Sequence, residues 1–280
     1  MDAVLLQRLA QITEEERELL QGRGVDRALY ASGRAFEVDA AKMLEKGKLM
    51  SIRPHTRFAP FPRHSHNYVE IMYMCRGKTV HRIDGDALVT LEAGELLFLN
   101  RHASHAIQRA DAGDIAVNFI VLPQFFDEAF NMAGMDNDLS RFLLGELYTG
   151  GAAVSYLHFR VREVLPVQNL VENMVWTLVN RQPGARRINQ VTMGLLLLQL
   201  MHYTECIDMS RNGSIRSPMV EAALREIEEN YRAASLTDVA AAFHVGLPYL
   251  SAEVKRATGS TFKELLLHKR RDKAARLLRE

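Results

Sequence analysis

Hydrophobic and polar positions along these 280 residues repeat with two different periods, and the changes of period divide the chain into four segments. Residues 1–48 carry a helical pattern, with Thr13 and Glu16 spaced as a capping box. Between 49 and 122 the pattern shortens to that of strands. YVEIMYMC, KTVHRI, ALVTL, ELLFLN and DIAVNFIVL are short β-rich runs, punctuated by Asp84-Gly85, Ala93-Gly94 and Ala112-Gly113. Many short strands at this spacing predict a small barrel or sandwich. Residues 123–213 return to helix, with long helices expected at 161–180 and 188–208 on either side of Pro183-Gly184. The polar Arg211-Asn212-Gly213-Ser214 reads as a linker, and residues 214–280 are helical in pattern. The fold class expected is therefore α+β and multidomain: a β-barrel flanked by helices, a helical linker, and an all-α end.

The helix expected at 188–208 is apolar on most faces, through Ile188, Val191, Leu195 and Leu198 and also Leu196, Leu197 and Leu200. Such a helix is buried in a core or against a partner. A homodimer through residues 161–208 is the expectation, with coverage by the chain's own barrel as the competing reading.

Composition narrows the class. The length suits two domains, and 48% hydrophobic with 25% charged residues is the balance of a globular protein. Cys75 and Cys206 both sit in apolar stretches and read as reduced core residues. The acidic, amphipathic N-terminus lacks the basic region of a signal peptide, and Met193–Met201 is too short to span a bilayer. A cytoplasmic protein with no membrane partner is expected. The net charge of +1 is uninformative, but its distribution is not. From Lys255 to Arg279 nine basic residues face only Glu264 and Asp272. That asymmetry suits a polyanion partner, or else a solvated helix face.

Candidate chemistry falls in two places. In HSHNYVEIMYMCRG, read as one strand, His64, His66, Tyr68, Glu70, Met72 and Met74 share a face. Two imidazoles and a carboxylate suit zinc, nickel, iron or manganese, and His105 is placed to add a fourth ligand. His102 competes for that position. The string resembles the first motif of the cupin superfamily, through His64, His66, Glu70 and Gly77, and Gly94 with His105 fits the second. The glycine and proline that often open these motifs are missing. The resemblance implies a cupin-like barrel over 49–122 with a ligand cavity at its mouth. Two readings stay open: a divalent metal on His64, His66, Glu70 and His105, or a metal-free effector pocket lined by His64, His66, Tyr68, Glu70, Met72 and His105, with Arg53 as a further candidate.

The second place is LTDVAAAFHVGLPYLSAEVKRATGSTFKELLLHKRRDKAARLL. Leu236, Val239, Ala240 and Phe243 share a helical face, His244-Val245-Gly246 breaks the pattern, and Pro248 suits the start of a second helix that Gly259 caps. Leu250 and Val254 are expected to pack on the first helix, which gives a helix-turn-helix. Over about sixty residues the stretch resembles the first helix-turn-helix of the AraC/XylS family, through Leu236-Thr237, Phe243, Tyr249-Leu250-Ser251, Lys255-Arg256, Thr258-Gly259, Phe262 and a basic helix. The family usually carries a second helix-turn-helix, which should begin where this chain stops at Glu280, and truncation is the favoured reading of that end. Ala252 also stands where relatives often have a basic or polar side chain.

The resemblance implies a transcription regulator that binds double-stranded DNA and a small-molecule effector, and is not an enzyme. In the major groove Pro248, Ser251 and Ala252 would face bases, Tyr249, Lys255 and Arg256 could reach bases or phosphates, and Lys269, Arg270 and Lys273 would contact phosphates. The alternatives are a metal-dependent cupin oxygenase or isomerase, a regulator that senses the metal itself, and an adaptor that uses the basic helix for a protein partner. The segments expected are 1–48, 49–122 for the sensor, 123–213 for linkage and dimerisation, and 214–280 for the reader.

Overall fold

The computed structural model describes the chain apart from residues 34, 86, 134–137, 145–147, 150–151, 204–205, 210–217, 244, 259 and 278–280. The chain folds as two compact units, residues 1–147 with 154–210, and residues 148–153 with 211–280.

In chain order the strands are β1 (Glu37–Val38), β2 (Met50–Pro54), β3 (Phe61–His66), β4 (Val69–Arg76), β5 (Lys78–Ile83), β6 (Ala87–Glu92), β7 (Leu96–Leu99), β8 (Ser104–Ile107), β9 (Ile115–Val121), β10 (Tyr148–Thr149), β11 (Ala152–Ala153), β12 (Tyr156–Phe159) and β13 (Ile207–Met209). The helices are α1 (Ala3–Leu9), α2 (Glu14–Leu20), α3 (Ala40–Met43), α4 (Asp127–Ala133), α5 (Asp138–Leu144), α6 (Leu165–Val179), α7 (Ala185–Met201), α8 (Pro218–Glu229), α9 (Leu236–Ala242), α10 (Leu247–Thr258) and α11 (Phe262–Leu277).

Two sheets build the first unit. One runs β1-β3-β8-β5-β6 and the other β13-β12-β7-β4-β9-β2. Met72, Met74, Leu97 and Leu99 of the second sheet meet Ile83, Val89 and Leu91 of the first in an interior cluster. The other face of the second sheet carries Ile71, Tyr73, Phe98 and Phe119, and packs under helical residues such as Phe126, Phe142, Val171, Val175 and Leu197. Both faces of β4 are thus buried, which is why Val69–Met74 reads as an unbroken apolar run with only Glu70 inside it.

Turn chemistry explains the register. Asp84 (φ 49°) and Gly85 (φ 94°) both turn left-handed between β5 and β6, as an Asp-Gly hairpin requires. Gly94 has φ 84°, and a Cβ there would lie 2.9 Å from Cα of Arg162, so only glycine lets these backbones approach. Gly77 (φ 79°) is held the same way, since its Cβ would sit 2.2 Å from Oδ1 of Asp114.

Three expectations are corrected. HSHNYVEIMYMC is two strands, not one: β3 ends at His66 in the first sheet and β4 begins at Val69 in the second. The alternation survives because each strand turns the same set of residues toward the shared interior. The N-terminal segment is not wholly helical, because Glu37–Val38 pairs with Ser65–His66 of β3. Nor is 123–210 wholly helical: Tyr156–Phe159, buried at all four positions, extends the second sheet along β7. The long helices begin at Leu165, where Pro166 occupies the first turn, and after Gly184, whose φ is 76°.

Much of α7's apolar surface is covered by its own unit. Met193, Leu196, Leu197 and Leu200 are buried in the main core, whereas Val191 and Leu195 are 39% and 43% exposed.

In the second unit Val220, Ala223 and Ile227 of α8 join Val239 and Ala240 of α9, Leu250 and Val254 of α10, and Phe262 and Leu266 of α11 in one core. Ser235 caps α9 by accepting from the amide of Asp238. Phe243, expected on the buried face, caps the end of α9 and is 38% exposed. Gly246 adopts no positive φ, so the turn does not use the freedom that glycine offers.

Candidate functional site

The inner face of the second sheet places the polar groups in rows. Across β2, β9 and β4, Arg53 pairs with Asn118 and Asn118 with Met72; two residues further along β9, Ile120 pairs with Glu70. From the opposite sheet His64 pairs with His105 across β3 and β8, with ring centroids 4.2 Å apart. Side chains of the two inner faces therefore converge on Glu70, which is 4% exposed.

Hydrogen bonds fix the roles of these groups. Nδ1 of His66 lies 3.0 Å from the carbonyl oxygen of Tyr68, and Nδ1 of His64 lies 3.0 Å from that of Pro62. A carbonyl only accepts, so each Nδ1 carries the proton and each Nε2 keeps its lone pair. Burial holds both rings neutral, lowering His64 to about 4 and His66 to about 3. Burial likewise raises Glu70 to about 7, against the hydrogen bond from Asn118 and the charge of Arg53.

Nε2 of His66 and Nε2 of His105 lie 3.8 Å and 3.4 Å from Oε2 of Glu70. All three atoms are buried and lack a hydrogen-bond partner. The group His66, Glu70 and His105 brings its ligand atoms within 4.8 Å of one another, and could hold a metal ion. Among the described residues His64 is not part of that group. Its ring stands beside it, and His102 lies exposed on the turn before β8, outside the cluster.

A cleft adjoins the cluster, with about 440 Å³ of space between its atoms, counting the open mouth. Of the residues expected to line an effector pocket, Arg53, His64, Tyr68 and Glu70 do so. His66 and His105 stand behind Glu70, and Met72 is packed in the apolar interior with no exposure. Sequence reasoning missed His55, His81 and Asn118. His55 and Asn118 line the cleft, and His81, fully buried, stacks on His105 at 6.0 Å. The signal for His81 was present: Thr79, His81 and Ile83 alternate inward along β5.

In the second unit α10 shows Pro248, Tyr249, Ala252 and Lys255 exposed, Ser251 half-buried, and Leu250 and Val254 in the core. The side chain of Arg256 lies outside those described, as do His244 and Gly259. Two of the basic residues expected at phosphates are engaged within the unit. Lys269 pairs with Glu228, and Arg270 donates to the carbonyls of Tyr231 (2.8 Å) and Arg232 (3.0 Å) just beyond the end of α8. Lys273 is half-buried, while Lys263 and Arg271 are exposed. Among the described residues no helix is long and apolar enough to cross a membrane.

Comparison with known proteins gives the following. Residues 51–130 match the family described as the AraC-like ligand binding domain. The HTH-type transcriptional activator RhaS of Enterobacter sp. (strain 638) is 25% identical over 234 residues, covering 82% of this chain and 78% of that protein. Among solved structures, an apo ToxT variant from Vibrio cholerae strain SCE256 aligns at 12% identity and a TM-score of 0.44 over 84% of each chain. Another is the AraC-like transcriptional activator CuxR, at 13% identity and a TM-score of 0.33 over 75% of this chain and 67% of that one. The histidine cluster and most of the lining of the cleft thus lie within the residues that match the AraC-like ligand binding domain, and the chain is a distant homologue of the HTH-type transcriptional activator RhaS.

Proposed function

We propose that the chain is a cytoplasmic, sequence-specific DNA-binding transcription regulator, not an enzyme, whose barrel unit holds a small-molecule effector. The observation that carries the reading is the exposed face of α10, with Pro248, Tyr249, Ala252 and Lys255 outward while Leu250 and Val254 anchor it on α9. A second helix fixed on a first, with its outer face free, has the form that enters a major groove. The relation to a transcriptional activator points the same way. Lys255, Lys263, Arg271 and Lys273 are the better candidates for phosphates, because Lys269 and Arg270 already serve the packing of α11 against α8.

One short reader gives little specific affinity, so a homodimer through residues 161–208 belongs to the proposal. Its face is Trp176 of α6 with Val191 and Leu195 of α7. An effector acts on such a dimer only by binding one arrangement better than another. The test is selection by the full chain from a pool of random duplexes. Enrichment of one sequence supports the reading, and a pool unchanged after repeated rounds refutes it.

A second reading of the cluster concerns metal. Nε2 of His66, Oε2 of Glu70 and Nε2 of His105 are buried, face one another and lack hydrogen-bond partners, and a divalent cation could take all three as ligands. Such an ion would make the barrel a metal-responsive sensor.

A further inference from the structure

The described outer face of α10 is cationic toward one end and nearly bare of hydrogen-bonding side chains at the other. Leu250 and Val254 hold the helix on the core of the second unit. With about 3.6 residues per turn, Ala252 stands opposite that pair, and Pro248 lies one turn before Ala252 on the same side. Both are exposed, and Tyr249 beside them is 54% exposed. Neither Pro248 nor Ala252 carries a side-chain donor or acceptor, and the tyrosine ring ends in a single hydroxyl. Ser251, whose hydroxyl does both, is half-buried.

The charges that would draw a duplex lie outside this patch. Lys255 is exposed nearer the end of α10, and Lys263 and Arg271 are exposed on α11. Phosphate contacts of that kind place a helix without choosing a sequence. The choice falls to what the N-terminal half of α10 offers to base edges. In the major groove those edges present donors, acceptors and one apolar group, the C5 methyl of thymine. A side chain with no polar atom leaves the donor of cytosine or the acceptors of guanine covered and unpaired, at a cost. Against the methyl of thymine the same side chain gains by burial. Proline and alanine are also short, so they touch only what lies directly under the helix.

We propose that the reader recognises thymine, by contact of Pro248 and Ala252 with C5 methyl groups rather than by hydrogen bonds from these two residues to bases. The proposal rests on the reading of α10 as the helix that enters the major groove. Tyr249 adds ring surface at the margin of the patch. The partner is then a duplex with thymine where Pro248 and Ala252 come down, because a guanine there would meet no donor from either side chain.

Deoxyuridine tests this, because it differs from thymidine only by the missing methyl. The full chain is titrated with the duplex it selects from a random pool, and with copies in which one thymine at a time is replaced by deoxyuridine. At one or two thymines the replacement should weaken binding roughly fourfold, which is what burying one methyl-sized group is worth. Cytosine at the same position should weaken it as well, and 5-methylcytosine should recover part of that loss. In Ala252→Gln and in Pro248→Gln the deoxyuridine penalty should disappear at the thymine each residue touches, since a glutamine amide seeks the donor and acceptor of adenine instead. Melting curves check that each variant is folded. A selected duplex in which every thymine tolerates deoxyuridine would overturn the proposal, and so would a penalty unchanged in both variants. Either result leaves α10 standing as a DNA reader. A pool from which no sequence is enriched would instead remove the regulator reading, and the proposal with it.

Discussion

Glu16 and Arg57 meet as a two-pronged ion pair inside the barrel unit, Nε to Oε1 at 2.6 Å and Nη2 to Oε2 at 2.9 Å, with both residues 3% exposed or less. The capping box at Thr13 presents Glu16, whose Oε2 also accepts the Thr13 amide. Arg57 adds hydrogen bonds to the carbonyls of Ala10, Gln11 and Ala112. One pair thereby ties the N-terminal helices to the barrel. Glu16→Gln leaves Arg57 buried without its counter-charge, and should cost about 3–5 kcal/mol in urea unfolding. A loss under about 1 kcal/mol would show that the pair is dispensable.

Stability should decline in acid in two steps. Burial lowers the pKa of His55 from its ordinary 6.5, so the folded ring stays neutral where the unfolded one protonates. Its contribution is present above pH 6.5 and is lost as pH falls below that value. For Glu16, burial works upward, but the hydrogen bonds from Arg57 and the Thr13 amide outweigh it and hold the carboxyl below its ordinary 4.5. That contribution is present above 4.5 and is lost as pH falls through the lower folded value. Glu70, raised to about 7, gains stability as pH falls from 7 to 4.5 and opposes His55 there. Urea midpoints of Glu70→Gln measured from pH 8 to pH 3 therefore check the two steps, and a midpoint that rises on acidification in that variant would contradict them.

Equilibrium dialysis against zinc, nickel and manganese addresses the three facing atoms of His66, Glu70 and His105. One ion per chain is expected, lost in Glu70→Gln and in His105→Ala. Retention of an equally bound ion in both variants would place it elsewhere.

Leu195→Arg should dissociate a dimer built on α6 and α7, because Leu195 is exposed on α7. Light scattering at several concentrations reads the change. The same mass for variant and parent would exclude this face. Leu198 is a poorer probe, being partly covered by its own unit.

Much of this was legible in the sequence. Short β-rich runs between turn signals identified β4 through β7 and β9, although β4, β7 and β9 are buried on both faces and carry no clean alternation. His64, His66 and Glu70 are all buried between the two sheets, as parity predicts, even though a single strand was assumed. The short apolar YLHF run was missed because burial on both faces erases alternation. His55 and Asn118 escaped notice because their significance is relational: a tautomer set through an amide by Glu70 appears only when three strands lie side by side. Likewise the basic run of α11 looked uniformly available, and only its packing on α8 shows that Lys269 and Arg270 are engaged.

The central claim is that α10 reads DNA, and competition binding tests it most directly. The full chain is titrated with a duplex selected from a random pool and with its scrambled counterpart, at several salt concentrations. Tyr249→Ala should lower the preference for the selected duplex by about 1–3 kcal/mol, whereas Lys255→Ala should weaken both duplexes and flatten the salt dependence by about one unit of slope. Equal affinity for the two duplexes, unmoved by either substitution, would contradict the account.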